Sequence, residues 1–160
     1  MDNLTDLRNR LIYALQGKGA HLDLQKVLLN FPPQFRGKTL PHLPYTAWQL
    51  LEHMRIAQWD ILEFSRDENH LSPKWPDEYW PKEMAPPDDS AWDNAVMQFF
   101  SDLRSMQDLV KEPTVDLHQI IPHGSGQNIL REAILIVDHN AYHLGQLVLL
   151  RKIFEGNPND

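Results

Sequence analysis

Leu4, Leu7, Leu11 and Leu15 recur at helical spacing and Gly17 and Gly19 follow them, which predicts a first helix from about Asn3 to Gln16 with its leucine stripe on a core. The apolar stretch His21 to Asn30 adds a short helix before Phe31-Pro-Pro33 and the Pro41 to Pro44 region break the chain. A second long helix opens at the capping box Thr46-x-x-Gln49, with Tyr45 placed to staple against Leu50, and continues to about Arg66. A third opens at Ser90-x-x-Asp93, after Asp88 and Asp89 that suit the positive end of a helix dipole, and ends near Lys111 before Pro113. Its stripe of Val96, Phe99, Phe100, Leu103, Met106 and Val110 carries no histidine and reads as structural. A fourth runs from about Gln127 to Phe154 and stops at Gly156, with Arg151 and Lys152 in its last turns. No segment alternates as a strand does, so the fold class is all-α.

Two features of this pattern exceed what packing one stripe requires. The fourth helix is apolar nearly all round, so either it is central to the fold or its second face forms a homodimer interface. Between the second and third helices lie residues 67–89, with five prolines and Trp75, Tyr79 and Trp80, too long for an ordinary helix connection. Proline stiffness and aromatic bulk predict an ordered strap across the end or side of the helices; packing suffices to explain it, and gating of a substrate is the rival role.

Composition narrows the functional classes. One domain over residues 1–160 is long enough to bury its own core. A formal charge of -7, with 15 Lys and Arg and no basic cluster, argues against nucleic acid as a partner. Asp138, His139, Asn140 and His143 interrupt the most apolar helix well short of the roughly 20 apolar residues of a membrane span, and no signal peptide is legible at the N-terminus. The expected location is therefore the cytoplasm. The chain has no cysteine, which removes disulfides, thiolate ligands and a cysteine nucleophile together, so that any metal must be held by nitrogen and oxygen.

The candidate chemistry lies in that interrupted helix. His139 and His143 are four residues apart, which on a helix separates them by roughly 40° and 6 Å and lets two imidazoles converge on one ion. Eight histidines in 160 residues give about 0.4 such pairs by composition alone, so spacing by itself does not decide the matter. Burial does more, because imidazoles in an apolar helix must be hydrogen-bonded, exposed or ligated. A catalytic metal commonly takes three protein ligands, and His53, inside the second helix, is the best third. His21, His42, His70, His118 and His123 fall in or near loops and read as solvated or locally hydrogen-bonded.

One histidine in the second helix, an H-x-x-x-H pair in the fourth, and Gly145-Gln146 after the last histidine resemble the DinB-like, or YfiT-like, metal-dependent hydrolases over essentially the whole chain. The resemblance implies a four-helix bundle with a long crossover between its second and third helices, homodimers, and a divalent ion, zinc or nickel, held by His53, His139 and His143 with water completing its shell. Three neutral imidazoles leave the ion its full charge, so bound water acidifies toward a pKa of about 7 on zinc and supplies a nucleophile for hydrolysis. The same position could hold the thiolate of a small thiol cosubstrate, which makes an S-transferase the rival enzyme. A non-catalytic small-molecule binding or interaction bundle is the third reading. Glu52 points about 100° away from His53. Asp60, Gln49 and Gln146 read as surface residues or as residues one layer behind the ligands, and Asp138 and Glu132 are left outside the site.

Overall fold

Five α-helices and one short 3-10 turn make up the regular structure of the computed structural model, which describes residues 3–156. In chain order they are α1 (Asn3–Leu15), α2 (Leu24–Leu29), α3 (Ala47–Arg66), α4 (Ala91–Lys111) and α5 (Ile129–Glu155). Among the described residues there is no strand, only an isolated bridge between Ile120 and Asn128, so the chain is all-α as its pattern predicts. Residues 1–2 and 157–160 of the expected domain lie outside the described ones. α3 packs against both α4 and α5, and α1 lies on the same two helices. No helix among the described residues is long and apolar enough to cross a membrane.

The helix ends follow the sequence in two cases and depart from it in others. At α3 both halves of the capping box form: the Gln49 backbone N–H donates to the Thr46 hydroxyl (3.3 Å), and the Thr46 N–H donates to the Gln49 side chain (3.1 Å). α5 ends as expected on Gly156, whose φ of 72° is the left-handed conformation that a glycine adopts without strain. The predicted second capping box does not form. Ser90 is in a helical conformation with no capping bond, and Asp88 Oδ1 instead accepts from the backbone N–H groups of Ser90 and Ala91 and from the Ser90 hydroxyl. An Asx turn two residues upstream thus outcompetes the serine for the same orphan donors. α5 starts two residues later than the pattern suggests, because Asn128 caps it by accepting from Arg131 N (2.9 Å).

The core confirms most of the predicted stripes. Val96, Phe99, Leu103, Met106 and Val110 of α4 are buried, as are Leu11 and Leu15 of α1, but Leu4 is exposed, so the leucine stripe faces the core only beyond the first turn. Arg8 is buried beside that stripe and donates to the carbonyls of Val110 and Val115. The guanidinium here satisfies the Val110 carbonyl, which the end of α4 leaves without a helical partner, and the Val115 carbonyl in the segment beyond it. On α5 one arc, Ala133, Ile136, Leu144, Leu147 and Leu150, is buried, while Ile134, Leu149 and Ile153 on another are exposed.

The connection between α3 and α4 is an ordered strap. The Thr46 hydroxyl donates to the Met84 carbonyl (2.6 Å), Gln49 Nε2 to the Pro81 carbonyl (3.1 Å) and the Tyr79 hydroxyl to Asp60 Oδ2 (2.5 Å). At its far end it passes so close to Gly37 that a Cβ there would lie 2.3 Å from Ala85 Cβ, which only glycine avoids. Three attachments, at the capping residue Thr46 and at Gln49 and Asp60 of α3, thus hold one stretch of strap against that helix.

A three-histidine candidate metal centre

His53 comes from the middle of α3, and His139 and His143 from successive turns of α5, the helix packed beside it. Their ligand atoms lie within 4.8 Å of one another, and they form a group that could hold a metal ion. The Nε2 atoms of His53 and His139 are 3.1 Å apart. With zinc–nitrogen bonds of about 2.0–2.1 Å, two nitrogens in a tetrahedral shell stand about 3.4 Å apart, so the donor set fits one ion with small side-chain adjustments. The five remaining histidines do not join this group. His53 and His143 are buried, and His139 is partly exposed.

Two of the rings are held in the form a metal needs. His53 Nδ1 lies 3.0 Å from the Tyr79 carbonyl, which can only accept, so the proton is on Nδ1 and the Nε2 lone pair is bare. His143 Nδ1 likewise donates to Gln146 Oε1 (2.6 Å). A hydrogen bond on the second nitrogen fixes ring orientation and raises the basicity of the first. His139 donates from Nε2 to the bare His53 nitrogen, so ligation by Nε2 would move its proton to Nδ1.

Burial sets the charge of the cluster. Desolvation pushes His53 down to about 4, against the opposing pull of the Tyr79 carbonyl and with a further lowering from His143. It pushes His139 down to about 3, helped by the nearby His143 and His53. His143 is also lowered by burial, partly offset by its bond to Gln146. Three like-charged imidazoliums cannot share this space, and the neutral imidazole is the ligating form.

The surrounding residues divide clearly. Trp80 lies flat on His53, ring centroids 3.9 Å apart and 5° from parallel. Gln49 holds the strap, Gln146 holds His143, and Asp60 receives the Tyr79 hydroxyl, so all three stand one layer behind the ligands, as the pattern suggests. Glu52 pairs with Arg55, and Asp138 is exposed. Glu132, also left outside the site, is buried against Arg131. His70 departs from its reading as a solvated or locally hydrogen-bonded loop residue: its side chain is enclosed and its Nε2 is 2.8 Å from Asp60 Oδ1, a partner ten residues away on α3.

Tyr79 is the functional residue that sequence reasoning misses. Its contribution to His53 is a backbone carbonyl, which carries no side-chain signature; the only available signal was the aromatic, proline-rich character of the strap. No family model, no curated protein and no solved structure matches this chain.

Proposed function

We propose that this chain is a DinB-like divalent-metal protein acting as a metal-dependent hydrolase, with His53, His139 and His143 as its ligands. One observation carries the reading: three imidazoles converge, and for two of them the Nδ1 proton is committed to Tyr79 and Gln146, leaving Nε2 free. The matching fold reading is a four-helix bundle of α1, α3, α4 and α5, with the strap as its long crossover. When bound, zinc or nickel supplies Lewis acidity, which lowers the pKa of a water or thiol and polarises a carbonyl. The chain's own residues do the rest. The Tyr79 carbonyl and Gln146 orient two rings, Trp80 covers one face of His53, and burial keeps the imidazoles unprotonated well into the acid range. His139 is partly exposed, whereas His53 and His143 are buried.

The reading includes a homodimer. Ile134, Leu149 and Ile153 lie on one exposed face of α5 at helical spacing, with Gly145 between them, and a second copy of the same helix is the partner such a self-complementary apolar face fits.

Elemental analysis of the untagged protein, purified without chelator beside His139→Ala, tests the assignment. About one zinc or nickel per chain, lost in the variant, supports it; equal retention in both, or no uptake from added divalent ions, overturns it. For the loaded protein, turnover of ester or amide substrates without added thiol supports the hydrolase. Turnover that requires a small thiol moves the assignment to an S-transferase.

A further inference from the structure

On the two helices that carry the histidines, farther along each, two carboxylates line a second cavity. Asp60 follows His53 by seven residues on α3 and Glu132 precedes His139 by seven on α5, which sets both acids about 10 Å along their helices from the imidazoles. The cavity holds about 220 Å³ and has apolar walls of Ile61, Phe64 and Leu135. Glu132 is only 2% exposed. Its Oε1 accepts from Arg131 Nη1 (2.7 Å), and among the described residues no other hydrogen bond reaches its carboxylate, so Oε2 is open. Asp60 has no such opening, because the Tyr79 hydroxyl and His70 Nε2 occupy its two oxygens.

A carboxylate taken out of water is costly unless positive charge or donors reach both its oxygens. Arg131 supplies one bond, from a side chain that is 56% exposed and also lines the cavity. Burial raises the Glu132 carboxyl, the Arg131 bond and charge lower it, and the Asp60 charge raises it again, so the two acids stand near enough to sense each other. Both draw a cation into the cavity. A bare metal ion does not suit it: unlike the three imidazoles, these carboxylates gather no third histidine or acid within reach of one ion among the described residues. The volume is several times the roughly 30 Å³ share of one water yet below the usual range for drug-sized ligands, which suits one charged group on a short apolar stem. A single open oxygen fits a primary ammonium better than a two-pronged guanidinium.

We propose that this cavity binds a small alkylammonium group, whose N–H donors meet Glu132 Oε2 while its carbon stem packs against Phe64 and Leu135. The site is separate from the histidine centre and does not depend on a metal there. Glu132 is the binding residue, and Asp60 adds charge without giving up its bonds to the strap.

The test titrates the full chain with n-butylammonium at pH 7 and follows the backbone amides in proton–nitrogen NMR spectra, with n-butanol as the uncharged match. In the native chain the amine moves the signals of Arg131, Glu132 and Leu135 together and saturably. The alcohol binds at least about tenfold more weakly, the scale of one hydrogen bond to a charged group. Glu132→Gln keeps the shape, removes the charge and weakens the amine by a similar factor. Leu135→Trp fills the cavity and blocks the amine with Glu132 intact, which guards against a fold defect in the first variant. No saturable shift at these amides, equal binding of amine and alcohol, or an amine affinity unchanged in both variants overturns the site and leaves the histidine assignment untouched.

Discussion

The two halves of the histidine cluster are built by different means. On α5, His139, His143 and the Gln146 that orients His143 lie within three turns of one helix, so local geometry alone brings them together. On α3, His53 is oriented by a carbonyl 26 residues away in the strap, and the strap residue that provides it is tied back to Asp60 by its own hydroxyl. The α5 half survives wherever the helix survives. The α3 half exists only while the strap is docked, so it is the half through which the tertiary structure controls the site.

Breaking the clamp itself has the largest expected effect. His139→Ala loses stoichiometric metal, measured by elemental analysis, whereas His118→Ala at an exposed position keeps it; circular dichroism of both variants stays helical. The supports come next. Asp60→Asn and Gln146→Leu each weaken metal affinity by roughly 10–100-fold, the usual cost of losing an outer hydrogen bond to a ligand. Thermal unfolding separates the two. Asp60→Asn also lowers Tm, because it loosens Tyr79 and His70 together, while Gln146→Leu leaves Tm nearly unchanged. Equal Tm losses in both would erase the distinction between the halves.

A pH dependence follows from the same burial. The folded chain holds His53 near 4 and His139 near 3, against 6.5 for an unfolded histidine. Between 6.5 and those lower values the unfolded state binds more protons, so metal-free stability falls as pH drops through that window. Denaturant titrations at pH 7.5 and pH 5 should show a smaller loss in His53→Ala than in the native chain; an equal loss would mean that His53 is not held neutral by its surroundings. The smallest effect is on assembly. Leu149→Lys shifts the protein from dimer to monomer by light scattering with metal content unchanged, and a native protein already monomeric at high concentration refutes the α5 interface.

Much of the fold was legible because helices announce themselves locally. The Thr46–Gln49 box, the α4 stripe and the Gly156 stop all depend on contacts within a few residues, and they stand where the pattern puts them. The departures come from relations that the spacing of apolar and capping residues does not encode. Asp88 takes the donors that Ser90 was expected to cap, and Leu4 lies beyond the reach of the core. His70 illustrates the same limit at the site: in sequence it is a loop residue among polar neighbours, and only docking of the strap encloses it against Asp60.

What the sequence by itself determined was the all-α class, the helical placement of His139 and His143 on one face, and the exclusion of sulfur from cysteine at any metal site, which leaves nitrogen and oxygen. Periodicity and composition carry such information because they act over one or two turns. Only the tertiary structure decided that His53 meets the α5 pair, that the Tyr79 carbonyl fixes its proton, and that Trp80 covers its face. Those relations join positions separated by 26 to 90 residues, and one of them uses a backbone atom that every residue possesses. Their formation depends on how α3, α5 and the strap pack, which no local spacing encodes.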